Sequence, residues 1–413
     1  MRTTRLIRPA YAEKFRCIGP SCEDSCCIGW QVAIDEATYR KYQSVPPGPL
    51  RGLMDVHIAR TPEKPDGKTP SGFAHVKLGP SMECPFHNAE RLCQIQVERG
   101  EKYLSQVCAT YPRLKYVIDK RVDETLTLSC PESCRIVLLN PNLPISGGNE
   151  VDHMNWDDSK SGSALIPYFW PIREFVIGLM RNRAYPLWQR MFLLGTFARR
   201  LDAVVRTEVK GGFPAMFKGF LAAVESGTLR ASIETIHADL TLQLGMVLEL
   251  VRLRDGLAGR SPRLSECFDV FLKGIEYERQ NTLESMSRVY GAAYARYFAP
   301  FFAQHPYILE NYLINMIFRG LFPFGGRLFD RAKPPQPGKE YALLATNFAL
   351  VKGLLIGVAG GHKEAFSSDH VVQTVQTVFK HFEHSPEFLA RAHQALVERK
   401  LDDAHGLTML LRN

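Results

Sequence analysis

Nine of the ten cysteines of this chain fall between Cys17 and Cys134, and the long C-terminal remainder contains only Cys267. A thiol density of that kind restricts the first third to a disulfide framework, a metal-bound fold or a redox site. Residues 1–10 carry Arg2, Arg5 and Arg8 with no apolar run behind them, so no secretory signal is read there. The apolar stretches 308–324 and 341–359 are interrupted by Glu310, Asn311 and Arg319, and by Asn347 and Lys352, so no membrane span is expected. The expected compartment is cytoplasmic, where reducing conditions disfavour disulfides and leave the cysteines to metal or redox chemistry.

The cysteine boundary is also a domain boundary. A chain of 413 residues has room for roughly two to three domains, and 45% hydrophobic with 23% charged residues is a globular composition rather than a disordered one. The segment 140–162, rich in Pro, Gly, Asn, Asp and Ser, reads as a linker, which places a break near residue 150 and gives domains 1–150 and 151–413. The loop 45–71, with many prolines and glycines, is expected to project between two parts of the first domain. That domain is expected to hold short helices at 37–42 and 97–108 and a hairpin over 115–128, with metal in place of an ordinary core. Beyond residue 160 the apolar period becomes helical: Met191, Leu194, Ala198, Leu201 and Val205 recur at threes and fours. Further helices are expected at 166–182, 213–225, 231–255, 264–280, 283–300, 307–321, 338–356, 369–382 and 386–399, the last two started by Ser368 or Asp369 and by Ser385-Pro386. The fold class is mainly α: a small cysteine-rich, metal-centred domain with a short hairpin, then an all-helical domain. The net charge of +8 comes without a dense basic tract, an RNP-type aromatic motif or zinc-finger spacing, so nucleic acid is not an expected partner.

Four thiols fall within eleven residues in Cys17-x4-Cys22-x3-Cys26-Cys27, on a stretch that Gly19 and Pro20 allow to turn inward. A second group is Cys84-Pro-Phe-His87, Cys93, Cys108 and Cys130, with Cys134 four residues on. The candidate metal ligands are Cys17, Cys22, Cys26, Cys27, Cys84, Cys93, Cys108 and Cys130, enough for one cluster or two four-ligand sites. Soft thiolates suit zinc and iron–sulfur clusters alike, and spacing does not separate the two. With thiols in excess, His87 reads as a surface residue rather than a ligand, and Cys267 reads as core packing.

These motifs, together with Phe15, Gly29-Trp30, Leu92-Cys93-x-Ile95, Cys108-x2-Tyr111-Pro112-Arg113 and Ser129-Cys130-Pro131-Glu132, closely resemble the flagellin lysine N-methylase family. The first part also resembles the broader YkgJ-like cysteine-rich metal-binding proteins. Glu310-Asn311-Tyr312-Leu313-x-Asn315, followed by Phe322-Pro323-Phe324, resembles the family's C-terminal signature. The resemblance implies methyl transfer from S-adenosylmethionine to lysine ε-amines of flagellin, with a [4Fe-4S] cluster required. It implies an enzyme; a non-catalytic zinc- or iron–sulfur-binding interaction or redox-sensing protein is the alternative. No Gly-rich loop follows a predicted strand, and Gly353-x3-Gly357-x2-Gly360-Gly361 reads as a helix packing face and C-cap. The Cys-x3-Cys-x2-Cys pattern of radical S-adenosylmethionine enzymes does not occur.

Trp30, Tyr39 and Tyr42 offer faces that attract sulfonium or alkylammonium cations, or else pack a core. Asp35 reads as a helix cap or a catalytic carboxylate, and Arg113 as the partner of a cofactor carboxylate or a surface ion pair. On the 307–321 helix Asn311, Asn315 and Arg319 form a polar stripe with Glu310 beside it. Glu310 and Asn311 are the candidate catalytic pair, which would hold and deprotonate an amine; Trp30, Arg113 and Asn315 are the candidate cofactor-binding residues. A structural hydrogen-bond network between the two domains explains the stripe equally well. The sequence is silent on oligomeric state.

Overall fold

The computed structural model describes residues 5–7, 9–62, 72–118, 121–145, 166–207, 212–255, 261–329, 333–383 and 385–413. Two compact units result, one formed by 15–114 with 130–132 and the other by 1–14, 115–129 and 133–413. This is not a single break near residue 150. The polypeptide leaves the helical unit after Lys14 and re-enters it at Lys115, because the N-terminal strand packs with residues far along the chain. Most of the expected linker lies outside the described residues.

The cysteine unit has a core of its own, contrary to the expectation that metal would replace one. Val32, Ile34, Tyr42, Leu50, Met54 and Phe86 are all buried in it, and Cys84 and Cys93 pack against its edge. Three short antiparallel strands support this core, with Ala74–Val76 between Ala33–Ile34 and Ile58–Arg60. Asp35 caps the Glu36–Gln43 helix by accepting from Thr38 N at 2.8 Å and Thr38 Oγ1 at 2.7 Å, and it also accepts from Gln106 N at 3.3 Å. The single helix expected over 97–108 is two helices, Gln94–Arg99 and Gln106–Thr110. Gly100, at φ +81, ends the first in a conformation that stops a helix.

The helical unit begins with a strand. Arg5–Ile7 runs parallel to Arg121–Leu126, Leu6 opposite Val122, and Arg121–Leu126 also neighbours Arg113–Ile118, so the expected hairpin is two strands of a three-stranded sheet. Its core is the Pro337–His362 helix, apolar on every side and flanked by Leu187–Thr207, Leu240–Asp255 and Pro262–Gly274. By length and composition the stretch Pro337–Ala365 could cross a membrane, yet 89% of its most apolar window is buried inside the protein. The glycine face works as packing: a Cβ on Gly274 would collide with the Gly357 carbonyl, and one on Gly360 would stand 2.6 Å from the Gly274 carbonyl, so the two helices touch backbone to backbone. The helix itself is capped at Lys363 rather than by these glycines. Ser385 starts the Pro386–Glu398 helix as expected, whereas the preceding one is capped by Ser367, one residue earlier than expected, in a reciprocal pair with His370. The helix Ala404–Leu411 and the π-turns Tyr294–Phe298 and Phe379–Glu383 were not foreseen from periodicity.

One buried acid makes the helical unit's stability depend on pH. Gly325, at φ +61, leaves no Cβ where the Glu340 carboxylate lies, and burial pushes that carboxyl up to about 7, partly offset by Lys339 and Arg327. A folded pKa above the unfolded one means that the stability this group contributes is full below the ordinary glutamate range and is lost as pH rises through about 7. Glu340→Gln is therefore expected to raise stability at pH 8 by about 1–3 kcal/mol and to leave it nearly unchanged at pH 4.5. Thermal denaturation at the two pH values checks this.

Candidate metal centre

Main-chain hydrogen bonds bring the two cysteine groups together. Cys84 N donates to Cys27 O at 2.8 Å, Gly29 N to Met82 O at 3.0 Å, and Ile28 pairs with Glu83 in an antiparallel bridge. The first loop turns at Gly19–Ser21, where Gly19 holds φ +56. The second turns at Asn88, whose side-chain oxygen accepts from Glu90 N at 3.1 Å and Leu92 N at 2.9 Å. Arg91, in that turn at φ +60, reaches across to the first loop and donates to Pro20 O at 3.0 Å and to Cys22 O at 2.5 Å. Sequence reasoning missed Arg91. Asn88 three residues before it is an Asx-turn signal that could have located the bend, but nothing local discloses a reach of some seventy positions back along the chain.

The thiols of this unit sense one another. The Cys26 thiol is pushed up first by its hydrogen bond with Cys27, then by burial and by charge on Cys27, Cys108 and Cys17. Burial raises Cys84 to about 12 and Cys108 to about 11, with Cys27 and Cys93 adding to both; Cys93 is raised by burial and Cys27. Cys22 stands further out, donating to Asp24 O at 3.3 Å, and among the thiols only Cys17 adds to the burial that raises it. Cys130 is 8% exposed and groups with this unit. Cys134 belongs to the helical unit, where its thiol donates to Leu128 O at 3.0 Å, and Cys267 is buried on the Pro262–Gly274 helix.

In kind these donors fit a thiophilic metal. Cys22, Cys27, Cys84 and Cys93 are partly buried while Cys17, Cys26 and Cys108 are exposed, all of them free thiols of the kind that soft metals bind. The Nε2 of His87, enclosed and without a hydrogen-bond partner, is a further unsatisfied donor in the same unit. Among the described residues, however, no three His, Cys, Asp or Glu side chains converge on one coordination point.

The aromatic and charged candidates are accounted for locally. Trp30 donates its indole N–H to Cys26 O at 2.6 Å and faces Tyr111 with ring centroids 6.0 Å apart. Tyr39 packs edge-on against Phe73 at 5.3 Å, and Tyr42 is buried in the core. Arg113 donates to Phe15 O at 3.1 Å with its guanidinium 5.0 Å from the Phe15 ring, and Asp35 is a cap rather than an open carboxylate.

The polar stripe belongs to the helical unit and is largely engaged, the Oδ1 of Asn315 being an exception. Glu310, 4% exposed, accepts from Arg183 Nε and NH2, both at 3.1 Å, and from Arg190 NH1 at 2.9 Å. Asn311 donates to the carbonyls of Val137 at 3.0 Å and Asn140 at 2.8 Å. Asn315 donates to Tyr11 OH at 3.3 Å, Thr125 Oγ1 at 3.2 Å and Leu126 O at 3.0 Å. Two further buried acids on the adjacent strand stand within ion-pair distance of a cation, Asp123 of Arg173 at 3.1 Å and Glu124 of Lys115 at 3.6 Å, though Asp123 makes none of the hydrogen bonds that Glu310 makes. The stripe thus joins Tyr11, the 125–126 segment and the 137–140 segment to the Tyr307–Arg319 helix.

Comparison with known proteins covers both units. The model of the FliB lysine N-methylase C-terminal domain matches residues 173–410. Proteins named Lysine-N-methylase from Salmonella typhimurium and Salmonella choleraesuis are each 21% identical over 426 aligned positions, spanning the whole of both chains. The flagellar biosynthetic protein FliU of Salmonella muenchen is 30% identical over 148 residues, 36% of this chain and 85% of its own. No solved structure matches.

Proposed function

Since the chain belongs to the FliB lysine N-methylase family, we propose that it methylates lysine ε-amines of flagellin, with S-adenosylmethionine as donor and a thiolate-bound [4Fe-4S] cluster in the cysteine unit. The observation that carries this reading is the match of two proteins named Lysine-N-methylase over the full length of the chain. FliU, a flagellar biosynthetic protein by name, supports flagellin as the partner. The gathering of Cys17, Cys26, Cys27, Cys84, Cys93 and Cys108 supports the metal, and these residues would hold it. When bound, an iron–sulfur cluster supplies one-electron chemistry.

The chain's own groups do the remaining work in this reading. Attack on a methyl group requires a neutral amine, so the lysine must lose its proton before or as the N–C bond forms and the donor's S–C bond breaks. Glu23 and Asp24 follow Cys22 and both raise its thiol pKa, so their negative charge is positioned to draw an ammonium toward this loop. Trp30, fixed to Cys26 by its indole N–H, offers a ring face to a sulfonium. Arg113 keeps a charged guanidinium at Phe15, two residues from Cys17, able to pair with a cofactor carboxylate. For Glu310, Asn311 and Asn315 we propose a structural role in place of the catalytic and cofactor-binding roles suggested by sequence. Both oxygens of this carboxylate are already taken by the guanidiniums of Arg183 and Arg190.

Co-expression of the chain with flagellin, followed by intact-mass analysis, tests the activity. The expected result is flagellin heavier by whole methyl increments, located on lysines by peptide mapping. Flagellin of unchanged mass beside a metal-loaded chain would instead favour a non-catalytic metal-binding protein.

A further inference from the structure

Main-chain bonds fix a register between the two cysteine loops. Gly29 N donates to Met82 O at 3.0 Å and Cys84 N to Cys27 O at 2.8 Å on either side of the Ile28–Glu83 bridge, so the next opposed pair outward is Cys27 with Cys84. Opposed residues carry their side chains on one face of the ladder. In a hydrogen-bonded pair the Cα atoms stand about 5.5 Å apart, inside the range of roughly 4.4–6.8 Å that a disulfide spans. The Cβ atoms of opposed residues stand about 4.5–5.5 Å apart and a relaxed disulfide takes about 3.8 Å, so closure draws the strands together by on the order of 1 Å. A bond strained in that way is readily reduced again.

The neighbouring thiols are worse placed. Cys26 adjoins Cys27, and consecutive Cα atoms about 3.8 Å apart fall short of the disulfide range. Cys93 and Cys108 also respond to charge on Cys27, but Cys93 is opposed to His87 and Cys108 lies on the Gln106–Thr110 helix. Cys27 and Cys84 are both partly buried and neither is in a disulfide, so each keeps some surface open to a small reagent.

We propose that Cys27 and Cys84 are a thiol-exchange site, forming a reversible cross-strand disulfide at the expense of low-molecular-weight disulfides. One thiolate attacks a sulfur of the oxidant and expels a thiol; the other thiolate then attacks the mixed disulfide and expels the second. The pair loses two electrons and two protons, and the oxidant leaves as two thiols that carry them. This inference needs two opposed sulfurs and does not rest on a metal. Both residues are among those assigned to the metal above, so bond and metal exclude each other, and the bond belongs to the unloaded chain.

The experiment uses the full chain, reduced, treated with a chelator and equilibrated with graded ratios of oxidised to reduced glutathione, then quenched in acid, alkylated and mapped by mass spectrometry. As the oxidised share rises, Cys27 and Cys84 should lose alkylation together, one peptide pair should join them, and the chain should be lighter by two hydrogens. Dithiothreitol should restore both thiols. Cys93→Ser should keep the linked peptides, whereas Cys84→Ser should lose them and show Cys27 either alkylated or carrying glutathione. Wild-type mapping decides the matter even where a variant folds poorly. Cys27 and Cys84 alkylated at every ratio, or Cys27 joined to Cys26, Cys93 or Cys108 in place of Cys84, would overturn the assignment. Flagellin methylation is read separately on reduced protein, so either result leaves the methylase reading where it stands.

Discussion

Replacement of Glu310 by alanine is expected to destabilise the protein by about 3–5 kcal/mol, the usual cost of leaving a buried charge without its partner. Arg190 is the reason. It is 5% exposed, and its guanidinium would be stranded without the carboxylate 2.9 Å away, whereas Arg183 is half-exposed and can turn to water. Glu310→Gln should recover part of the loss, because an amide oxygen still accepts from one guanidinium. Denaturant titration of the three proteins gives the ranking. Loss of methylation with no loss of stability in Glu310→Gln would return this residue to the catalytic role its sequence suggests.

The second large effect is expected in function rather than stability. Cys84→Ser and Cys108→Ser should each lose bound metal and lower flagellin methylation by on the order of a hundredfold or more, as removal of ligand-level interactions does. The cysteine unit should nevertheless stay folded, since Cys84 packs only at the edge of a core made by Ile34, Tyr42, Leu50, Met54 and Phe86. Cys267→Ser is the control. It lies on a helix of the other unit and should change neither metal content nor methylation, at a packing cost of about 1–3 kcal/mol. Metal analysis, methylation by intact mass and melting curves on the same preparations check all three. Wild-type metal content in both Cys84→Ser and Cys108→Ser would remove these thiols from the ligand set.

What could be read in advance was local. Asp35 and Ser385 are caps because a short polar side chain before an apolar run can reach only the backbone just ahead of it. The helices from Phe169 onward follow from their apolar period, and the glycines of Pro337–His362 from their spacing on one face. The gathering of thiols was visible in composition alone.

What escaped was set by distance along the chain. Nothing near Arg5–Ile7 indicates that it pairs with Arg121–Asp123, and nothing near Glu310 names Arg183 and Arg190 as its partners. The stripe on the Tyr307–Arg319 helix was read correctly as needing polar partners, but amines and backbone carbonyls satisfy the same donors and acceptors, and only the fold chooses between them. Ligand arithmetic makes His87 a surface residue, whereas the fold encloses its Nε2. The core of the cysteine unit was overlooked because its members, from Val32 to Ile95, are scattered among loops and show no single period.

The strand Arg5–Ile7 has a consequence for how the molecule is made. Because residues 1–14 belong with 115–129 and 133–413, the stretch 15–114 is an insertion within another unit's chain. Synthesis runs from the N-terminus, so the inserted stretch emerges whole while the strand that opens its host still lacks Arg121–Leu126 and the Asn315 amide that bonds Tyr11. The guest can therefore collapse on its own core while its host still awaits residues 115–413. A ribosome-stalled chain ending shortly after Glu132 would carry every cysteine of the inserted unit before most of the host helices exist. Folding of that unit is then an event of the nascent chain rather than of the finished protein.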